Sequence, residues 1–315
     1  MKITLLDAAT LGEGLDFTVL EQFGEVEKYD NTSYGEVAKR IAKSDIVLIN
    51  KIKINDETLA LAKNLKLVCV FATGYDNIDL DACNKRDIAV CNVKGYSTHS
   101  VAQLTVLMAL TLIEKIGAYT SFVKDGSYTK SGVANCLTPI NHELYGKTWG
   151  IVGAGAIGKQ VAKVAEAFGC KVLVFKRTPE EGLDCVSLGE LLKRSDIISL
   201  HTPLNDGTRG LIGEKEIAMM KSDAILINVA RGAVTDENAV AEAVVLGKIG
   251  GFATDVYSVE PFPGEHPMSR IVNYENVMLT PHMAWGTLEA RERCLGEVVE
   301  NIKSFIDGGK RNRIN

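Results

Sequence analysis

Three side chains in the second half of this 315-residue chain have types and settings suited to chemistry: Arg231, Glu260 and His282. Arg231 follows the run Ile227-Asn228-Val229-Ala230. Glu260 is joined to Pro261 a few residues past Asp255, and His282 follows Thr280-Pro281. A guanidinium presents a planar donor fork to a carboxylate, and an imidazole can give or take a proton near neutral pH. An anion anchor, an acid and an imidazole together are what reduction of a carbonyl requires. Each also has a blander reading: Arg231 as a surface partner of Asp236, Glu260 as a solvated loop acid, His282 as a helix cap or packed ring. Their common placement, each just beyond a predicted strand, is what argues for a site.

The elements that must hold them read as an α/β chain. Strand candidates at residues 149–152, 172–175, 197–200, 224–229, 251–254 and 277–280 match in number a doubly wound dinucleotide fold of two βαβαβ halves. Arg231, Glu260 and His282 leave the last three at the carboxyl edge, where open parallel sheets bind ligands. Ser187-Leu188-Gly189-Glu190 is a capping-box signal, and residues 213–220 read as a helix. Earlier, β-rich runs at 3–6, 46–49, 67–71 and 88–91 alternate with amphipathic stretches such as 34–42, arguing a second parallel sheet. Ser97 and Ser100 are N-cap candidates for one long apolar helix reaching Tyr119, where the crossover between domains is placed. Residues 287–305 are helical, charged on one face through Glu289, Arg291, Arg293 and Glu297, and expected to return to the first lobe. The expected domains are therefore 1–97 with 286–315, and 98–285, tightly joined with a cleft between them.

Gly153-Ala154-Gly155-Ala156-Ile157-Gly158 follows a strand and opens a helix that Gly169 closes. In that context G-x-G-x-x-G is a pyrophosphate loop: Gly153 permits the turn, Gly155 the approach of phosphate, Gly158 the packing of helix on strand. An acid for the adenine ribose is expected at the end of the next strand, yet Lys176-Arg177-Thr178 stand there. Two cations and a hydroxyl suit a 2′-phosphate, so NADP(H) is expected over NAD(H). The alternative is a pair of solvated cations beside an NAD site.

Composition narrows the remaining classes. With 46% apolar and 24% charged residues the chain suits about two globular domains, and a net charge of -5 gives no field for nucleic acid. The apolar stretch 101–113, interrupted by Gln103, Thr105 and Thr111, falls short of the ~20 residues of a membrane span. The N-terminus meets Asp7 too early for a secretory signal and reads as a strand. Seven cysteines without CxxC spacing indicate neither a metal site nor a redox dithiol, and free thiols point to a reducing, cytoplasmic setting.

The glycine loop, Asn228-Val229-Ala230-Arg231-Gly232, Glu260-Pro261 and Thr280-Pro281-His282 occur in an order that resembles the D-isomer-specific 2-hydroxyacid dehydrogenase family, over roughly residues 45–295. Ala72-Thr73-Gly74-Tyr75-Asp76-Asn77-Ile78-Asp79 is similar to that family's substrate-side loop, and His201-Thr202-Pro203-Leu204 to its cofactor-facing turn. His282-Met283-Ala284-Trp285 with Asn50-Lys51 looks most like the glycerate (hydroxypyruvate) dehydrogenase branch. Gln103 and Thr235 depart from the family's commoner glutamate and valine without touching the proposed chemistry.

The resemblance implies a Rossmann cofactor domain and a flavodoxin-like substrate domain, and exchange of a hydride between NAD(P)H and a small 2-oxo acid of the hydroxypyruvate or glyoxylate type. It implies that Arg231 binds the substrate carboxylate and polarises the keto oxygen, that His282 donates the proton, and that Glu260 holds the imidazole. Amides of Thr73, Gly74 and Tyr75 would take the other side of the carboxylate. Cofactor contacts would come from Gly153, Gly155, Ala156, Ile157, Gly158, Lys176, Arg177, His201, Thr202, Pro203, Thr208, Val229, Ala230, Arg231, Asp255, His282 and Ala284. The apolar run 101–113 and the resemblance together suggest a homodimer through the cofactor domains. The rival readings are a nucleotide-sensing regulator of the same fold, a reductase of bulkier 2-oxo acids, and a formate dehydrogenase, which resembles a longer chain with glutamine at the acid position.

Overall fold

A computed structural model describes all of residues 1–315, which divide into two compact units: Met1–Ser97 with Trp285–Asn315, and Thr98–Ala284. Trp285 thus belongs to the first unit, where its ring meets Tyr96 edge-on, one residue away from the boundary read in the sequence.

The first unit holds β1 (Lys2–Leu5), β2 (Glu25–Lys28), β3 (Ile46–Ile49), β4 (Leu67–Val70) and β5 (Ala89–Cys91), all parallel in the order β2-β1-β3-β4-β5. β3 and β4 are buried along their whole length, as expected of central strands covered on both faces. The strand the sequence reading misses is β2. Glu25-Val26-Glu27-Lys28 shows no apolar face because it is the sheet edge, where charges discourage pairing with another chain. Helix Leu288–Ile306, capped by the Thr287 side chain, belongs to this unit and buries Ala290, Cys294, Leu295, Val298 and Ile302 among Ile3, Leu5, Leu48 and Phe71. Each large aliphatic side chain so buried contributes about 1.5–3 kcal/mol.

The second unit carries six parallel strands, β6 (Thr148–Val152), β7 (Lys171–Phe175), β8 (Ile197–Leu200), β9 (Ile225–Asn228), β10 (Gly251–Thr254) and β11 (Val277–Leu279), in the order β11-β10-β9-β8-β6-β7. The direction of winding reverses between β6 and β8, so the loop after β6 lies at the switch point. Six strands were expected as two full halves, but the third strand of the first half is reduced to a single bridge, Val174 with Cys185, beside β7. Short turns and Ser187, whose hydroxyl accepts the Glu190 amide, return the chain to β8.

One expectation fails in detail. The apolar run from Thr98 is two helices, Thr98–Ile113 and Ile116–Lys124, bent by 65° at Lys115, which sits in the left-handed region at φ 54°. No single helix is long and apolar enough to cross a membrane. Only this bent pair reaches such a composition, and its first helix spends Val101, Leu104, Met108 and Leu112 on burial.

Candidate active site

The three chemistry-bearing residues stand on the loops that leave β9, β10 and β11 at one sheet edge. After β9, the buried Asn228 side chain accepts the Ala230 amide (3.0 Å) and donates to the Arg231 carbonyl (2.9 Å), fixing a turn that buries Val229 and Ala230 and leaves Arg231 half-buried. The next residue has to be glycine: a Cβ on Gly232 would lie 2.0 Å from the Tyr257 carbonyl carbon in the loop after β10.

Asp255 follows β10 directly and is 1% exposed. Its carboxylate accepts the Thr280 hydroxyl (2.6 Å), the Met283 amide (2.8 Å) and the Ala284 amide (2.8 Å). These bonds gather both sides of the turn around His282, whose own φ is 53°. A β-carbon-bearing residue in that region costs free energy, of order 1–3 kcal/mol, and the Asp255 bonds over-determine it. Expected from the sequence only as a cofactor contact, Asp255 is also the clamp of the histidine turn.

His282 Nδ1 lies 2.6 Å from Glu260 Oε2, and the other oxygen, Oε1, accepts the Tyr257 amide at 3.0 Å. Both partners of the pair are partly exposed, 22% for the imidazole and 30% for the carboxylate. The carboxylate can only accept, so Nδ1 carries the proton in this contact. Thr73, Gly74 and Tyr75 belong to the first unit, on the turn after β4, where the Thr73 hydroxyl donates to the Val93 carbonyl and the Asn92 amide group to the Thr73 carbonyl.

The dinucleotide loop after β6 has the form a phosphate needs. Gly153 has φ 95°, and a Cβ there would meet the His201 backbone and the Thr202 side chain at 2.9 Å. Gly158 allows the helix Ala156–Ala167 to pass Gly153, whose carbonyl oxygen would be 2.1 Å from an added Cβ. Gly155 faces open space, and with the exposed Ala156 and partly exposed Ile157 it presents the helix start outward. Two buried polar atoms without a partner, His201 Nδ1 and Thr202 Oγ1, lie in the turn beyond β8 that backs this loop. The cradle and these unsatisfied groups fit a nicotinamide dinucleotide. Thr208 closes the same turn, its hydroxyl donating to the Pro203 carbonyl and accepting the Asn205 amide. Burial holds the His201 ring well below its ordinary range, at about 3, so it is neutral; Nε2 contacts Ser199 Oγ at 2.9 Å. The residue retains some exposure, but the ring nitrogen Nδ1 has none to speak of.

At the end of β7, Lys176 is partly buried and Arg177 exposed. Lys176 is joined by Lys159, from the helix after the glycine loop, on one carboxylate, Glu180. The two ammonium groups hold the Glu180 carboxyl at about 2, well below the usual carboxylate range. Glu180 escapes a sequence reading that looks for an acid at the strand end, since the turn of 176–180 is what brings it back.

The profile described as "D-isomer specific 2-hydroxyacid dehydrogenase, NAD binding domain" matches residues 106–284. The chain is 36% identical over its full length, and that of the relative, to a hydroxypyruvate reductase of Blautia hydrogenotrophica. It is 37% identical to a glycerate dehydrogenase of Methylorubrum extorquens, covering 99% of this chain and 98% of that one. A crystal structure of D-lactate dehydrogenase from Aquifex aeolicus, complexed with NAD and lactic acid, superposes with a TM-score of 0.86 at 29% identity, over 100% of this chain and 99% of that one. With the dinucleotide loop, the paired imidazole and carboxylate and full-length similarity all agreeing, the chain belongs to the D-isomer-specific 2-hydroxyacid dehydrogenases, oxidoreductases that use a nicotinamide cofactor.

Proposed function

We propose that the protein reduces a small 2-oxo acid of the hydroxypyruvate or glyoxylate type to the D-2-hydroxy acid, with Arg231, Glu260 and His282 as its catalytic residues. The observation that carries this reading is the 2.6 Å contact between His282 Nδ1 and Glu260, which leaves Nε2 as the proton-exchanging atom. When bound, the nicotinamide supplies the hydride in reduction and accepts it in oxidation. Arg231 offers its fork to the substrate carboxylate and its positive charge to the keto oxygen. His282 gives that oxygen a proton from Nε2, and Glu260 compensates the charge on the ring while fixing its orientation. In the oxidative direction the neutral ring takes the proton back. A regulator that only sensed a nucleotide would have no use for this pairing. Changing His282 to Ala is expected to lower kcat with hydroxypyruvate by about 10²–10⁴-fold. Cofactor affinity should stay within about threefold, and near-normal turnover removes the assignment. A panel running from glyoxylate to bulkier 2-oxo acids then fixes the substrate.

The cofactor reading favours NADP(H), because Lys176 and Arg177 stand where an acid would contact the ribose, and a 2′-phosphate can draw Lys176 from Glu180. Higher kcat/KM with NADPH than NADH is expected, and loss of that preference in Arg177→Ala; a clear NADH preference in the parent rejects it. A homodimer through the cofactor units is also proposed, with a changed rationale. Most apolar residues of helix Thr98–Ile113 are buried, Leu107 being exposed, while Ile116, Val123, Val133, Leu137, Ile140 and Tyr145 are exposed along the following segment. Sedimentation at micromolar concentration should give a dimer, and Leu137→Glu with Ile140→Glu a monomer. The seven free cysteines, five of them buried, support a reducing cytoplasmic setting.

A further inference from the structure

Behind the catalytic pair, in the same unit, lies a second polar cluster that the reaction does not use directly. Glu237, in the first turn of helix Glu237–Val245, is buried, and its carboxylate receives three donors. The Ser258 amide donates to Oε1 at 2.9 Å, while Oε2 takes the Ser258 hydroxyl and lies 3.1 Å from His266 Nε2. His266 is buried too, and the Met268 amide donates to its Nδ1, which leaves the ring proton on Nε2, facing Glu237. Three donors thus satisfy the carboxylate.

What this cluster holds is Ser258, and Ser258 follows Tyr257, which meets all three catalytic loops. Its amide donates to Glu260 Oε1 at 3.0 Å. Its hydroxyl donates to the Thr280 carbonyl at 2.9 Å, two residues before His282. Its backbone passes Gly232, next to Arg231, so closely that no side chain fits between them. The Phe262 ring, 4.7 Å away between centroids, and His266, 6.3 Å away, flank the tyrosine.

We propose that Glu237 and Tyr257 are positioning residues for the reaction: Glu237 fixes Ser258, and Tyr257 sets the register of the Arg231, Glu260 and His282 loops against one another. Burial first, then the charges of Asp255, Glu260 and Glu237, push the Tyr257 hydroxyl up to about 12, so it remains a donor throughout the working range and does not itself titrate in a rate profile. The proposal rests on His282 and Glu260 being the proton-handling pair.

Tyr257→Phe removes one hydroxyl and keeps the ring; Glu237→Gln keeps the shape and turns one acceptor into a donor among three donors. Each is tested in the full-length protein by kcat and KM for hydroxypyruvate, the pH profile of kcat, cofactor affinity, melting temperature, and the proton resonance of the His282 imidazole Nδ1 without substrate. Each variant is expected to lower kcat by about tenfold, the worth of one well-placed hydrogen bond, with cofactor affinity within about twofold and a displaced pH profile. In Tyr257→Phe the low-field Nδ1 proton should move upfield as the imidazole loosens from Glu260. That resonance also stands if the substrate assignment fails, because it reads the pair without turnover. Should Glu237→Gln not fold, Tyr257→Phe decides alone. Parent-like kcat, pH profile and imidazole resonance in Tyr257→Phe, whatever the melting temperature, overturn the proposal.

Discussion

Replacing Asp255 by asparagine isolates what its carboxylate does for the turn that carries His282. The native group has three donors on two oxygens, in a setting where Asp255 is 1% and Ala284 5% exposed. Asparagine can keep its oxygen toward Thr280 and Met283, but its NH2 then faces the Ala284 N–H, donor against donor. One hydrogen bond to a charged acceptor is lost, and a buried amide is left without a partner. Together these cost about 2–4 kcal/mol. For a cooperative unit of this size that corresponds to a fall in melting temperature of roughly 5–10 °C. The left-handed conformation of His282 also loses part of its support, so kcat should fall at least about tenfold. Thermal unfolding without cofactor is the deciding assay, since it removes any contribution from a cofactor contact. A melting temperature within about 1 °C of the parent, with kcat unchanged, would refute the clamp.

Other outcomes follow from the same geometry. His201 has a folded-state value of about 3 against an ordinary 6.5, so its neutral ring contributes stability that is fully present above that ordinary value and lost as pH falls toward the folded one. Between about pH 7.5 and pH 5, the stability of the parent relative to His201→Gln should therefore drop by about 2 kcal/mol in urea unfolding. Gly158→Ala, whose Cβ would meet the Gly153 carbonyl, should lose about 1–3 kcal/mol of stability together with cofactor binding. Gly155→Val should melt near the parent temperature yet bind cofactor at least about tenfold more weakly, measured by titration calorimetry, because the space it enters is where a phosphate must approach. Glu180→Gln frees Lys159 and Lys176 from their shared carboxylate and should lower the KM for NADPH more than that for NADH; equal effects would separate Lys176 from the 2′-phosphate.

The parts of this molecule that were legible in the sequence are those where local pattern and tertiary role coincide. The central strands β3, β8, β9 and β10 are buried along their whole length and predominantly apolar because both faces are covered, and the glycine loop is spelled by steric need at Gly153 and Gly158. The carboxyl ends of β9 to β11 announce Arg231, Glu260 and His282 because all three strands are parallel. β2 stayed hidden because Glu25-Val26-Glu27-Lys28 has no buried face to show. The bend at Lys115 has neither proline nor a glycine at the turn itself; only the charged pair Glu114-Lys115 interrupts the sequence there, which a helix tolerates, so the break is not signalled locally. Glu237 sits behind Asp236 in a helix's first turn, where an acid is already explained by capping and the helix dipole. Its bonds to Ser258 and His266 join segments some twenty residues away or more, which no local pattern encodes.

Gly232 and Tyr257 approach so closely that the loop carrying Arg231 and the loop carrying Glu260 share a single steric boundary. A change in one loop that pushes its backbone toward the other therefore has to displace it, and through the Tyr257 hydroxyl the third. The three loops are thus mechanically coupled, and a backbone displacement in one is passed to the other two. Retargeting such an enzyme to a new 2-oxo acid should accordingly leave the loops after β9, β10 and β11 untouched and place every substitution elsewhere in the chain.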